Sequence, residues 1–387
     1  MSLRSRPFWT LVWIRVAFWL GTAATLLWAP AAADSAARTR AWDPVTDLVF
    51  GTFDHWDAEW FLRISRDGYD EVSAAFFPLY PALVSLLGSS LVWGTLLSLV
   101  AAGLGAACVF EIARERLGDA VAHDSVLVLA LFPTAFVFTA VYSDGLFLAL
   151  SAASFLAAQR RHPWLAGLAG GLAVATRSMG LALLPALAYL LWPRSRREIW
   201  RLAPLLLLPA ALALYSVYLD REIGDSFAFT NAQASGWDRE LEPLGPLSGL
   251  WMAFQAGGHG ALEILRHLPR TGVDSPGYSQ ALQVSFWNAA HLLLLVPLTW
   301  LSWVAWRRLG HALGLYAAAT LIVILSVPSQ GFPLVSMPRF VLTDFPVLIA
   351  LAATIQARPR LRTGVLVALG AASAAAGIAF SRDVWIA

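Results

Sequence analysis

The chain is a succession of apolar runs, most of them long enough to cross a bilayer, with most of its charge in the stretches between them. No other feature narrows the fold so far. A hydrocarbon core of about 30 Å takes roughly 20 residues of helix. Inside lipid each spanning segment must satisfy its own backbone groups, which points to helices. A transmembrane barrel would instead show alternating residues in strands of roughly ten, and no such alternation is present. Hydrophobic residues make up 58% of the chain, charged residues only 13%, and mean hydropathy is +0.63. The charged share is about half that of an ordinary soluble domain. The expected class is an all-α integral membrane protein.

The remaining charges supply a topology. All basic residues are arginine, and they gather in short clusters: Arg114/Arg116, Arg160/Arg161, Arg194/Arg196/Arg197/Arg201, Arg307/Arg308 and Arg358/Arg360/Arg362. Such clusters in short loops mark the cytoplasmic side. A nucleic-acid footprint would be a basic stripe on one domain, and a net charge of +2 spread between apolar runs is not one. Consecutive clusters must be separated by an even number of crossings. Segments 8–30, 91–113, 121–142, 145–159, 164–177, 180–193, 202–219, 284–306, 310–327, 341–357 and 363–380 meet that condition. This predicts a bundle of about 11 transmembrane helices with a cytoplasmic N-terminus and an external C-terminus. The first run is expected to be an uncleaved helix whose Arg15 snorkels to the cytoplasmic interface; a cleaved signal peptide is the alternative. The one cysteine, Cys108, lies within an apolar run, so neither an intrachain disulfide framework nor a cysteine metal site is expected. Residues 1–387 read as a single membrane domain.

Two large loops, 31–90 and 220–283, fall outside on this topology, and long loops without structure of their own are usually functional. In the first, the stretch from Phe53 to Ile64 is expected to be a short interfacial helix, because Trp56, Trp60 and Ile64 recur at helical spacing and Phe61 widens that face. Tryptophan at headgroup depth is an anchor. Asp67-Gly68 supplies a stop, and Pro78 and Pro81 bend the chain back toward the next helix. Asp54, Asp57 and Glu59 would then face outward at the membrane surface. Asp57 is a candidate general base. The structural alternative makes Asp54 the N-cap and Asp57 a first-turn carboxylate serving the helix dipole.

The run Trp56-Asp57-Ala58-Glu59-Trp60-Phe61-Leu62-Arg63-Ile64, followed by Gly68-Tyr69 and by Ala75-Phe76-Phe77-Pro78-Leu79-Tyr80-Pro81, resembles the signature of the PIG-V mannosyltransferase family. That family belongs to the GT-C glycosyltransferase superfamily and includes the second mannosyltransferase of GPI-anchor assembly. Further blocks resemble it too: Leu131 to Phe136 followed by Tyr142-Ser143-Asp144, where glutamate is common at the last position; Thr176-Arg177-Ser178-Met179-Gly180; Gly224-Asp225-Ser226-Phe227-Ala228-Phe229, where Ser226 replaces a proline; and Pro338-Arg339-Phe340. The resemblance implies a GT-C-like bundle, a polyprenyl-phosphate sugar donor, work at the membrane surface, and an acidic residue in the first external loop. On this sequence that residue is Asp57, with Asp54 its nearest rival.

The implied chemistry needs a base for the acceptor hydroxyl and a cation for the departing lipid phosphate. Arginine suits the second task, being permanently charged and forked for paired oxygens. Arg177 and Arg339 lie at predicted outer helix ends, where the positive-inside rule does not explain them. They are the expected donor-phosphate ligands, with an Arg177–Asp144 structural ion pair and an Arg339 headgroup anchor as alternatives. Trp56, Trp60, Tyr80, Asp144, Gln233 and His259 are expected to border the substrates, with Asp225 a weaker candidate. A lone histidine in a glycine-rich stretch such as Gly257-Gly258-His259-Gly260 is more often an ordinary loop residue than a ligand. Displacement with one base and one leaving group implies inversion at the anomeric carbon. No metal or cofactor is expected to be required. The expected function is transfer of a sugar, mannose by the resemblance, to a glycolipid or surface acceptor at the plasma membrane. The rival class is a lipid or solute transporter or flippase, which would place charges near the midplane on broken helices and often repeat its halves. A scaffold without chemistry comes third.

Overall fold

The computed structural model describes residues 6–28, 46, 49–267, 276–382 and 384. The first-loop expectations at 31–45 and the stretch 268–275 of the second loop lie outside the described residues. In chain order the α-helices are α1 (Arg6–Trp28), α2 (Asp57–Asp67), α3 (Leu79–Leu86), α4 (Leu91–Leu117), α5 (Asp119–Leu131), α6 (Asp144–Gln159), α7 (Pro163–Thr176), α8 (Leu184–Leu191), α9 (Leu207–Ile223), α10 (Ala228–Trp237), α11 (Pro246–His267), α12 (Pro276–Val304), α13 (His311–Ser326), α14 (Met337–Thr343), α15 (Phe345–Gln356) and α16 (Pro359–Phe380). Among the described residues the only extended pairing is an isolated bridge between Arg239 and Ser329. The chain is a multi-pass integral membrane protein built of helices.

All eleven apolar segments coincide with helices, but length and composition do not establish eleven crossings. Five stretches are long and apolar enough alone: Arg6–Leu27, Leu91–Leu117, Arg196–Ile223, Leu282–Leu309 and Pro359–Phe380. Two more arise if each bent pair is one span, Asp119–Leu131 with Pro133–Thr139 and Met337–Thr343 with Phe345–Gln356, both bent by 78°. The other four, Asp144–Gln159, Pro163–Thr176, Ser178–Leu191 and His311–Ser326, are shorter apolar helices. Sixteen residues of α-helix rise about 24 Å, below the thickness of a bilayer core. Proline sits at both bends: Pro133 has no N–H to continue α5, and Pro346 is the second residue of α15, just after the break at Asp344.

Close approach between helices uses small residues, as is usual in lipid. A Cβ on Gly167 would run into the Pro204 carbonyl, and one on Gly145 into the Ser98 carbonyl. The predicted structureless second loop is corrected by the same device. Gly257 and Gly260 lie within α11, where an added Cβ would meet Leu292 and the Ser285 carbonyl of α12. Glycine costs about 1 kcal/mol in a free helix, so this stretch reads as a loop until its packing partner is known.

Arg15 departs from expectation. It does not snorkel: it is 1% exposed, and its Nη1 donates to the Ala130 carbonyl at 3.1 Å and the Ser373 hydroxyl at 2.9 Å. Ala130 stands beside the break after α5, where a carbonyl loses its helical partner. Arg15 therefore binds α1 to the broken span and to α16. The arginine clusters, by contrast, are tied together at one end. Arg160 bridges Glu111 and Glu115, Arg116 donates to the Leu309 carbonyl at 2.7 Å, and Arg362 grips buried Asp124 with two bonds of 2.7 Å.

Candidate functional site

The site forms where the two broken spans meet the first loop. Thr134, just past the first break, donates to the Pro338 carbonyl at 3.1 Å, which seats α14 beside the 133–139 turn. Arg339 follows immediately and is almost fully buried. Its Nη2 contacts Asp144 Oδ2 at 2.9 Å and its Nη1 contacts Asp57 Oδ2 at 2.8 Å. Arg177 Nη1 takes the other Asp144 oxygen at 2.5 Å. Four expected site residues from distant parts of the chain thus form one chain of contacts, Asp57–Arg339–Asp144–Arg177.

Asp144 has no exposed surface and both its oxygens are taken, so the expectation that it borders the substrate is corrected. It organises the two arginines, in the manner of the structural ion pair. Asp57 differs in being 22% exposed. It is the first residue of α2, where the helix dipole favours a carboxylate. Trp56 before it has φ +60° and ψ −116°, a conformation that a bulky side chain rarely adopts. Such a residue costs on the order of 1–3 kcal/mol, and the tight turn it makes swings Asp57 toward Arg339.

The expected helix start at Phe53 and the capping role of Asp54 are also corrected. Gly51–Phe53 is a separate 3₁₀ turn, and the cap position of α2 is Trp56, not Asp54. Asp54 is buried rather than facing outward. The aromatic face divides as well. Phe61 and Ile64 enter the core, Trp56 is exposed, and Trp60 stacks on Phe76 at 5.8 Å beside Trp237. The turn from Ala75 to Pro81 is held by Tyr69 and Tyr215, whose hydroxyls both donate to the Phe76 carbonyl.

Of the remaining candidates, Tyr80 is wholly buried, with its hydroxyl 2.6 Å from that of Ser98, and so braces α3 against α4 instead of bordering a substrate. His259 is exposed on helix α11, which corrects its reading as a loop residue. Gln233 lies on α10, and its backbone carbonyl accepts the Arg239 N–H at 3.0 Å.

Three residues that the sequence reading passed over complete the site. Tyr142 is buried, carries the Arg339 guanidinium 4.7 Å above its ring, and donates its hydroxyl to the His55 carbonyl at 3.2 Å. Phe340 holds two guanidinium groups near its ring, Arg177 at 5.2 Å and Arg239 at 5.3 Å. Arg239 is placed by the β-bridge to Ser329, by the Gln330 N–H donating to the Asp238 carbonyl, and by its own bond to the Val335 carbonyl. Desolvation first, then the like charges of Arg339 and Arg177, push its pKa down to about 10, while Asp57 acts the other way. The topological test that picked out Arg177 and Arg339 also applies to Arg239, which belongs to none of the arginine clusters of the short loops. Among the described residues no group of three or more His, Cys, Asp or Glu is arranged to hold a metal ion.

Residues 76–219 match the family model described as dolichyl-phosphate-mannose-protein mannosyltransferase. The chain is 30% identical over 130 residues to GPI mannosyltransferase 2 of Drosophila melanogaster, which covers 29% of this chain and 29% of that protein. It is also 30% identical over 156 residues to GPI alpha-1,6-mannosyltransferase 2 of Mus musculus, covering 36% of this chain and 31% of that one. The matched region spans less than a third of the length of these relatives. A solved structure, ArnT from Cupriavidus metallidurans bound to undecaprenyl phosphate, aligns with 82% of this chain and 60% of its own, at 16% identity and a TM-score of 0.49. In sequence, therefore, part of the chain is similar to mannosyltransferases, the likeness lying within residues 76–219 for the family model and over 130–156 residues for the two relatives.

Proposed function

We propose that the protein is a membrane glycosyltransferase that moves a sugar, mannose by kinship, from a polyprenyl-phosphate donor to a lipid-linked or surface acceptor, with inversion. One observation supports this most: a partly exposed carboxylate at a helix start, Asp57, lies 2.8 Å from a buried arginine that is itself anchored on a second carboxylate. A base and a cation for the leaving phosphate are thereby set side by side. Asp57 takes the proton of the acceptor hydroxyl as that oxygen attacks the anomeric carbon. The arginines oppose the charge that grows on the lipid phosphate. Asp144 keeps Arg177 and Arg339 in place, and residues 1–387 act as one domain. The work is done on the non-cytoplasmic side of the plasma membrane, which accords with the arginine clusters being tied together at one end of the molecule.

Two spans broken by 78° are also a transporter's device, so the flippase reading retains one observation. The deciding experiment is incubation of purified protein with a panel of polyprenyl-phosphate sugars and a lipid acceptor extract, followed by analysis of the product and its anomeric configuration. Transfer that is lost in Asp57→Asn supports the proposal. Absence of transfer with every donor, together with movement of polyprenyl phosphate across proteoliposomes, would overturn it.

A further inference from the structure

Among the described residues, the ionised side chains joined in this cluster and its neighbour Arg239 do not balance. Three guanidinium groups, Arg177, Arg239 and Arg339, face two carboxylates, Asp57 and Asp144. One positive charge is left over, and its location is clear. Asp144 is saturated by Arg177 and Arg339, and the second nitrogen of Arg339 serves Asp57. Arg239 has only the Val335 carbonyl and the Phe340 ring, and its Nε has no hydrogen-bond partner. A guanidinium set among two others, half out of water, lacks a counterion.

Resting on the donor class proposed above, we infer that Arg239 holds the donor's phosphodiester, and that proton transfer to Asp57 releases Arg339 to the departing phosphate. The charges balance at each stage. The bound donor carries one negative charge, equal and opposite to the excess on the site. In the reaction the bond between the acceptor oxygen and the anomeric carbon forms. The bond from that carbon to the phosphate oxygen breaks, with its electron pair staying on the phosphate. The acceptor proton passes to the Asp57 carboxylate. The phosphate becomes a monoester of charge about −2, and the site, with Asp57 neutral, has gained one positive charge to match. Arg339 Nη1, until then paired with Asp57 at 2.8 Å, loses its ionic partner, while Nη2 stays on Asp144. One of its nitrogens is then free to meet charge where it develops, and the other keeps the group oriented. From donor binding to bond cleavage, therefore, no uncompensated charge is left in the low-dielectric site, where it is most costly.

The test measures binding of two probes to purified protein without acceptor: undecaprenyl phosphate, a monoester, and undecaprenyl-phosphoryl mannose, a diester. Asp57→Asn imitates the protonated carboxylate and should shift the preference toward the monoester by about tenfold or more, about 1.4 kcal/mol. Arg239→Gln should weaken diester binding by about tenfold or more, and Arg239→Lys should regain part of it, since the charge survives without the fork. If Arg239→Gln does not fold, Arg239→Lys carries the test, with an expected loss of at least about threefold set by the missing fork. Unchanged binding in the Arg239 variants, or an unchanged monoester-to-diester ratio in Asp57→Asn, overturns the inference while wild-type transfer leaves the glycosyltransferase reading standing. A wild-type protein that binds neither probe and transfers from no donor brings down both.

Discussion

Replacing Asp144 by asparagine should be the most damaging isosteric change in the molecule. Its carboxylate has no exposed surface and serves two guanidinium groups, Arg177 at 2.5 Å and Arg339 at 2.9 Å. Removing one member of a buried ion pair costs about 3–5 kcal/mol, because the other charge stays behind without a partner. Arg339 keeps Asp57, and Arg177 keeps some solvent and the Phe340 ring. The loss should therefore lie near the lower end, about 3 kcal/mol. An exposed pair such as Arg266–Glu263 would forfeit about 1 kcal/mol or less. The measurement is equilibrium unfolding in mixed micelles, titrating dodecyl sulfate into maltoside and following tryptophan fluorescence. Removing the stranded charge should recover stability, so Asp144→Asn combined with Arg177→Met should be less destabilised than the sum of its parts, by about 1 kcal/mol or more. Stability within about 1 kcal/mol of wild type for Asp144→Asn, with no coupling to Arg177→Met, would show that the cluster is not held by this carboxylate.

Asp57→Asn should lower turnover by roughly 10² or more with the fold intact; if Asp54→Asn is inactive and Asp57→Asn is not, the base is Asp54. In Arg177→Lys the charge survives without the bidentate fork, and steady-state transfer should fall by more than about tenfold, about 1.4 kcal/mol; wild-type kinetics there would remove Arg177 from the donor site. For sidedness, Glu71→Cys and Ser235→Cys in a Cys108→Ala background should react with an impermeant maleimide from outside intact cells, since both positions are exposed and Cys108 is the sole cysteine; labelling only after permeabilisation would invert the topology. Gly167→Leu should destabilise by about 1–3 kcal/mol or more through overpacking against Pro204; unfolding at wild-type dodecyl sulfate concentration would contradict the close contact of α7 with the 196–206 turn.

What could be read from the sequence follows a physical division. Hydrophobic periodicity is local, so all eleven apolar segments fell on helices, whereas Asp57 and Asp144 were singled out through the motifs that resemble a known family, and Arg177 and Arg339 through those motifs together with the predicted topology. The number of crossings is not local. It depends on whether a helix such as α6 lies across the bilayer or within it, and on breaks like those at Phe132–Pro133 and Asp344 that join two short helices into one bent span. The helices hidden in the second loop escaped for a related reason: Gly257 and Gly260 look like loop residues until α12 is placed against them. The site was legible as a set of candidates but not as an arrangement. That Asp144 is spent on two arginines, that Asp54 is buried, and that Arg239 stands unneutralised beside Phe340 all depend on contacts between residues as much as 195 apart in sequence.

The arrangement also explains why a bilayer protein tolerates such a cluster. Every charge in it except that of Arg239 has an ionic partner, and Arg339 rests on a tyrosine ring in addition. The one carboxylate with appreciable exposure stands at a helix start behind a strained turn. On the proposed mechanism, charge that is needed only during the reaction is thus held by partners from which it can be released, and the burial that makes these groups costly also makes their electrostatic effect large.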